Sequence, residues 1–273
     1  AQVIPWNFPV SLVARSLAPA LAAGNSVVIK SPELTPLAVS LLAEAMVKAE
    51  VPPGAVNIIC GYGHEAGAAL VSHDDIDQIV FTGSVATGQS IMQAATEYVV
   101  PCVMELGGKS AGVVFADADL DQVITSAEVG NLFNSGQVCS AMSRLIVHES
   151  IYDEVKQRLV TSFAAKSVGS GKDEADVTPI LTQAQLDKIV AMCAGAKAQG
   201  AKCLIGGEAL LRTGYFMPPT IIEAAVDTEI AQQEVFGPVL VLMKFDSEQQ
   251  AYAMANGTDF GLVAGVFTQN VSL

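Results

Sequence analysis

Short runs rich in β-branched residues alternate with longer stretches of helical periodicity along nearly the whole chain. That alternation restricts the fold to the α/β class, with parallel sheets whose strands are joined by crossover helices. Residues 26–30 read as a strand. Thr35 followed by Pro36 reads as a cap and first-turn proline for a helix reaching about Ala49, which Val51-Pro52-Pro53-Gly54 ends. Residues 56–60, 79–82 and 102–105 are further strands, and Ser84 opens a helix to about Glu97. After Gly107-Gly108 the pattern restarts, with strands over 111–115, 145–148, 203–205 and 239–245 and helices over 119–132, 151–166, 182–199 and 248–255. Thr182 and Gln185 have the spacing of a capping box. Residues 167–176, rich in Gly, Ser and acidic side chains, read as a solvated loop. Two α/β lobes are expected, 1–106 and 107–273.

The chain carries 14 Lys and Arg against 28 Asp and Glu, a formal charge of −14, with no basic cluster. This balance argues against nucleic acid or an anionic membrane as a partner. No apolar run approaches the roughly 18 residues of a membrane span, so the default expectation is a cytoplasmic protein. Five widely separated cysteines without a C-x-x-C pair suggest neither a disulfide framework nor a zinc site, so no metal is expected. The charged fraction of 15% is low for a soluble domain, which suggests surface buried against other segments or subunits.

Two side chains point to covalent carbonyl chemistry. Cys139 follows Asn134-Ser135-Gly136-Gln137-Val138, a segment of weak secondary-structure propensity in which a thiol can meet substrate and backbone N–H groups can stabilise its thiolate. Cys60, Cys102, Cys193 and Cys203 lie in apolar strand or helix patterns and read as buried structural thiols. Glu105 ends an apolar run just before Gly107-Gly108, where a carboxylate is costly unless paired, hydrogen-bonded or near water. Its structural alternative is to cap the following turn or to pair with Lys109. Lys30-Ser31-Pro32-Glu33 follows a strand, where an α/β fold places its ligand. Gly61-x-Gly63-x-x-x-Gly67 has one residue too many for a dinucleotide fingerprint. The run Phe81-Thr82-Gly83-Ser84-Val85-Ala86-Thr87-Gly88, strand then glycine then helix start, is the better phosphate site.

These words together resemble those of the NAD(P)-dependent aldehyde dehydrogenase superfamily, nearly end to end. The resemblance implies a partial Rossmann-type cofactor lobe over 1–106 and a partial α/β catalytic lobe over 107–273. It makes Cys139 in Gly-Gln-x-Cys the nucleophile and Glu105 in Glu-Leu-Gly-Gly-Lys the base that activates water. Asn7 in Pro-Trp-Asn-x-Pro becomes the oxyanion donor, together with the Cys139 N–H. Cofactor contacts implied in the same way are Ile4, Pro5 and Trp6, then Lys30 and Glu33 at the adenosine ribose, with Gly63 on the adenine side. Gly83, Ser84 and Gly88 would serve the phosphates, and Leu106, Glu234 and Phe236 the nicotinamide end, the last two from Glu-x-Phe-Gly-Pro. A carboxylate at position 33 accepts from a free 2′-hydroxyl and repels a 2′-phosphate, so NAD is expected over NADP. The presence of Glu105 favours hydrolysis to a free acid over transfer to coenzyme A, and the presence of Cys139, Glu105 and Asn7 together counts against the other alternative, a non-catalytic descendant of the fold.

The implied function is oxidation of a small-molecule aldehyde to a carboxylic acid, through a thiohemiacetal and a thioester on Cys139. The chain opens without methionine, and the resemblance begins inside one lobe and stops inside the other. An internal fragment of a protein that is a homo-oligomer at full length is therefore expected.

Overall fold

A computed structural model describes residues 1–272 and divides into two compact units, Ala1–Leu106 and Gly107–Leu273. The first holds β1 (Gln2–Val3), α1 (Pro9–Ala22), β2 (Val27–Lys30), α2 (Pro36–Lys48), β3 (Val56–Ile59), α3 (Ala68–Val71), β4 (Ile79–Thr82), α4 (Val85–Ala95) and β5 (Cys102–Glu105). Its five strands are all parallel in the order β3-β2-β1-β4-β5. The order reverses between β1 and β4, the arrangement in which an open α/β sheet binds ligands beyond its strand carboxyl ends. Ile4, Val13, Leu17, Val27, Ile29 and Val39 form one core of this unit, and Val3, Leu70, Ile79, Phe81 and Ile91 form the other.

The second unit holds β6 (Ala111–Val114), α5 (Leu120–Leu132), β7 (Arg144–His148), α6 (Tyr152–Ala164), α7 (Gln183–Ala198), β8 (Lys202–Ile205), β9 (Thr220–Glu223), α8 (Glu229–Gln232), β10 (Val239–Phe245), α9 (Glu248–Asn256) and β11 (Ala264–Phe267). The sheet order is β11-β6-β7-β10-β9-β8. Along β10, Val239, Val241, Met243 and Phe245 enter one core while Leu240 and Leu242 enter the other. That is why its sequence is apolar from Val239 to Met243: a central parallel strand is covered on both faces.

Several features depart from the sequence expectation, among them the strands β1 and β9, where no strand was expected. β8 is antiparallel to β9, with a register shift between Cys203 and Ile205, so the second sheet is mixed. Helix α1 (Pro9–Ala22), which carries Pro19 in its interior, is not among the helices expected from the sequence. Thr35 stands at the N-cap of α2 ahead of Pro36 as expected, but its side chain makes no capping bond and its Oγ1 donates instead to the Trp6 carbonyl at 3.1 Å. Cys60 is exposed and Cys102 and Cys203 are only partly covered, leaving Cys193 as the buried structural thiol.

Arg144, at the start of β7, is a fully buried cation held by main-chain oxygens. Its Nε donates to the Lys109 carbonyl at 2.8 Å, and its terminal nitrogens donate to the Met254 and Ala255 carbonyls at 2.7 and 2.8 Å. The guanidinium thus ties the strand entering β6 to the last turn of α9, where the helix dipole favours a cation. Arg144→Met strands those three carbonyls, each worth about 1 kcal/mol or more once buried without a donor. It should lower the unfolding free energy by ~3 kcal/mol, read from the denaturant midpoint at unchanged m-value.

Candidate functional site

In the first unit, every residue that the sequence assigns to the cofactor or the chemistry lies at or just beyond a strand carboxyl end. Ile4, Pro5, Trp6 and Asn7 follow β1; Lys30 ends β2 and Glu33 follows it; Gly63 follows β3. Gly83, Ser84 and Gly88 lie between β4 and the first turn of α4, and Glu105 and Leu106 close β5.

Lys30, Glu33 and Gly63 are brought together. The Lys30 ammonium, itself buried, donates to the Glu33 carboxylate, which also accepts from the Gly63 N–H. Partial burial would raise the Glu33 pKa, but the Lys30 and backbone bonds outweigh it and hold it below the usual carboxylate range. Gly63 opens a one-turn π-helix, Gly63–Gly67, which accounts for the extra residue in the glycine spacing.

Gly83, Ser84, Gly88 and Leu106 form a second cluster. Ser84 caps α4, its Oγ accepting from the Thr87 N–H at 3.3 Å, and the Gly83 N–H donates to the Glu105 carbonyl at 3.0 Å. A Cβ on Gly88 would lie 2.7 Å from Leu106 Cδ2, so glycine lets the helix start settle onto the residue that ends β5. The amide groups at this helix start suit an anion.

Glu105 pairs with Arg15 and not with Lys109: Arg15 Nη2 donates to Glu105 Oε1 at 2.5 Å. Both side chains line a groove of about 480 Å³, with Leu12, Ser16, Val80 and Val103 among its walls. The sequence reading did not single out Arg15. A signal was present, since Arg15 is the one charged side chain before Lys30.

In the second unit, the segment before Cys139 is held by contacts to groups distant in sequence. Asn134, Ser135 and Gly136 take left-handed conformations in succession, with φ of 49°, 57° and 70°. Such a run is costly for L-residues and persists only where the surroundings enforce it. Ser135 Oγ donates to the Thr178 carbonyl at 2.8 Å and accepts from the Thr178 N–H at 2.9 Å. Gln137 Nε2 donates to the Asn134 carbonyl at 3.0 Å, and its Oε1 accepts from the Leu181 N–H at 2.9 Å. A Cβ on Gly136 would lie 2.1 Å from the Gly237 carbonyl oxygen, and one on Gly108 would lie 2.6 Å from the Cys139 carbonyl oxygen. The Cys139 loop is therefore packed backbone against backbone on both sides.

Glu234 lies over the paired glycines. Its Oε1 accepts from the Gly108 N–H at 3.0 Å, and a Cβ on Gly107 would lie 2.6 Å from its Oε2. Burial pushes its pKa up, opposed by the Gly108 bond and by Lys188 and Lys109. Helix α7 anchors the segment around it. Gln185 Nε2 donates to the Val235 and Phe236 carbonyls, both at 3.0 Å, and Lys188 Nζ donates to the Glu234 carbonyl at 3.1 Å. The expected capping box is thus half made: Thr182 Oγ1 accepts from the Gln185 N–H, while the Gln185 side chain holds Phe236, itself at φ 57°. Neither Gln185 nor Lys188 was legible as a site residue, because helical periodicity explains both.

The model of the aldehyde dehydrogenase family matches residues 1–273, and the chain belongs to that family. It is 44% identical to human retinal dehydrogenase 2 over 274 aligned residues, covering 99% of this chain and 53% of that protein. The NAD+ complex structure of aldehyde dehydrogenase from Bacillus cereus superposes with a TM-score of 0.97 at 40% identity, covering 99% of this chain and 56% of that one. Betaine aldehyde dehydrogenase from Staphylococcus aureus, in complex with NAD+, gives 0.96 at 36% identity, covering 99% of this chain and 55% of that one. The chain spans about half the length of the curated relatives it matches. Among the described residues, no helix is long and apolar enough to cross a membrane.

Lys109, buried beside Arg144, Glu234 and Cys193, yields a pH-dependent expectation. Burial and the Arg144 charge pull its pKa down to about 7, against the attraction of Glu234. Between pH 7 and the ordinary lysine value of about 10.4 the unfolded chain binds the proton that the folded chain lacks, so stability from this group rises with pH across that window. Lys109→Met removes the titration. Relative to this variant, the wild type should gain stability from pH 7 to 9.5, measured as paired denaturant midpoints; a constant difference would count against the assignment.

Proposed function

We propose that the protein carrying this chain oxidises a small-molecule aldehyde to a carboxylic acid with reduction of NAD. The observation that carries the reading is the Cys139 loop: a left-handed run, enforced by Ser135, Gln137 and two glycine contacts, presents a thiol within a family of aldehyde dehydrogenases. Glu33 supports NAD over NADP, since a carboxylate held ionised by Lys30 and the Gly63 N–H suits ribose hydroxyls and opposes an added phosphate. The Gly83-Ser84 helix start fits the pyrophosphate. When bound, NAD supplies the two-electron acceptor.

The chain's own residues supply the rest. Cys139 Sγ attacks the aldehyde carbon, giving a thiohemiacetal whose oxyanion accepts hydrogen bonds from the Asn7 amide and the Cys139 N–H. Oxidation of that adduct leaves a thioester. Glu105 takes a proton from water, the resulting hydroxide adds to the thioester carbonyl, and the acid departs as the thiolate re-forms. Glu234 and Phe236 hold the nicotinamide end of the cofactor. The presence of a carboxylate at position 105 favours this hydrolytic route over acyl transfer to coenzyme A. A homo-oligomer at full length and a cytoplasmic location belong to the same reading.

In the full-length protein, Cys139→Ala should abolish turnover while NAD binding persists, because the thiol makes covalent chemistry and not cofactor contact. Glu105→Gln should keep a pre-steady-state burst of NADH near one per site and slow the steady state by about a hundredfold or more, since acylation precedes the step that needs the base. Stopped-flow absorbance separates the two phases. Equal loss of both in Glu105→Gln would reduce Glu105 to a structural role.

A further inference from the structure

Arg15 has no part in the mechanism above, yet its guanidinium makes a close contact with the carboxylate assigned to water activation. We propose that Arg15 is a positioning residue for thioester hydrolysis: it fixes Glu105 through Oε1 and leaves Oε2 to take the proton from water in the adjoining groove. The inference rests on the reading of Glu105 as the base.

Three observations carry it. Arg15 Nη2 donates to Glu105 Oε1, a charge-assisted contact that joins the middle of α1 to the last residue of β5. The exposures are unequal, 59% for Arg15 and 25% for Glu105, so the carboxylate is the confined partner and the arginine reaches to it from the open side. Both line one groove, so water has access to the carboxylate without displacing the pair. A pair this exposed adds little to folding, because solvent screens it and two long side chains must be ordered to make it. Its consequence is geometric. A terminal glutamate torsion is broad, and one guanidinium contact selects which oxygen faces the groove.

The proton that Glu105 takes from water must pass on when the thiolate re-forms, so that the carboxylate is free for the next turnover. No oxidant or further reactant is needed, because the proton removed from water leaves with the product or to solvent and Glu105 returns to its paired state. Arg15 contributes orientation and is not consumed.

The test is a double-mutant cycle in the full-length protein, with Arg15→Met, which keeps an apolar stem, and Arg15→Gln as a second removal of the charge. Thermal melting, NADH burst amplitude and burst rate should match the wild type, while the steady-state rate falls about tenfold, the size expected from a misplaced base. In the Glu105→Gln background the same substitutions should change the steady-state rate by less than about twofold. An unchanged steady state in Arg15→Met, an equal loss in the burst, or a tenfold loss that persists in the Glu105→Gln background would each overturn the positioning role. Failure of the underlying reading looks different: Glu105→Gln would itself leave hydrolysis intact.

Discussion

The second unit depends on backbone lying directly against backbone around Cys139. Gly136 meets the Gly237 carbonyl and Gly108 meets the Cys139 carbonyl at separations where a Cβ cannot fit, and the Glu234 carboxylate lies over Gly107. These contacts bring three chain segments that are distant in sequence to one place. They also explain why the loop can sustain consecutive left-handed residues: the strain is offset by Ser135 and Gln137, whose side chains bond main-chain groups around Thr178 and Leu181.

Around this centre the cations are set by burial and by main-chain oxygens more than by carboxylates. Arg144 binds three carbonyls, one of them that of Lys109, and so fixes the strand that leaves the paired glycines. Lys109 follows them, fully buried, its charge disfavoured by desolvation and by Arg144. Glu234 is partly balanced by Lys188 and Lys109 and directly bonded to Gly108. In the first unit the corresponding order is simpler. A five-stranded parallel sheet delivers its loops to one edge, and Lys30, Glu33, Gly63, Gly83, Ser84 and Glu105 follow from that topology.

Much of this was legible in the sequence because strand and helix periods differ and because the motif words carry unusual residues at fixed spacing. The β10 run and the Ser84 cap are examples in which local pattern and tertiary role agree. Legibility ended where a side chain serves a partner far along the chain. Thr35 looks like a cap and instead binds Trp6, while Gln185 looks like half of a capping box and instead holds Val235 and Phe236. The Arg15 pair spans 90 positions and leaves no local trace beyond an isolated charge. The Cys139 segment has weak secondary-structure propensity of its own, and its conformation is held by groups more than forty positions away. The antiparallel β8 was hidden because a strand's direction is set by its neighbours and not by its own residues.

The central claim is that close backbone contact, and not the thiol alone, makes Cys139 competent. Comparing Gly136→Ala with Gly195→Ala in the full-length protein tests it most directly, with the NADH burst on an aldehyde as the measurement and circular dichroism as the check on folding. Gly195 has open space around it in α7, so alanine there should leave the burst intact. At Gly136 both the positive φ and the Gly237 carbonyl exclude a Cβ, so the burst rate should fall by about a hundredfold or more in a protein that retains its secondary structure. A wild-type burst in Gly136→Ala would contradict the account.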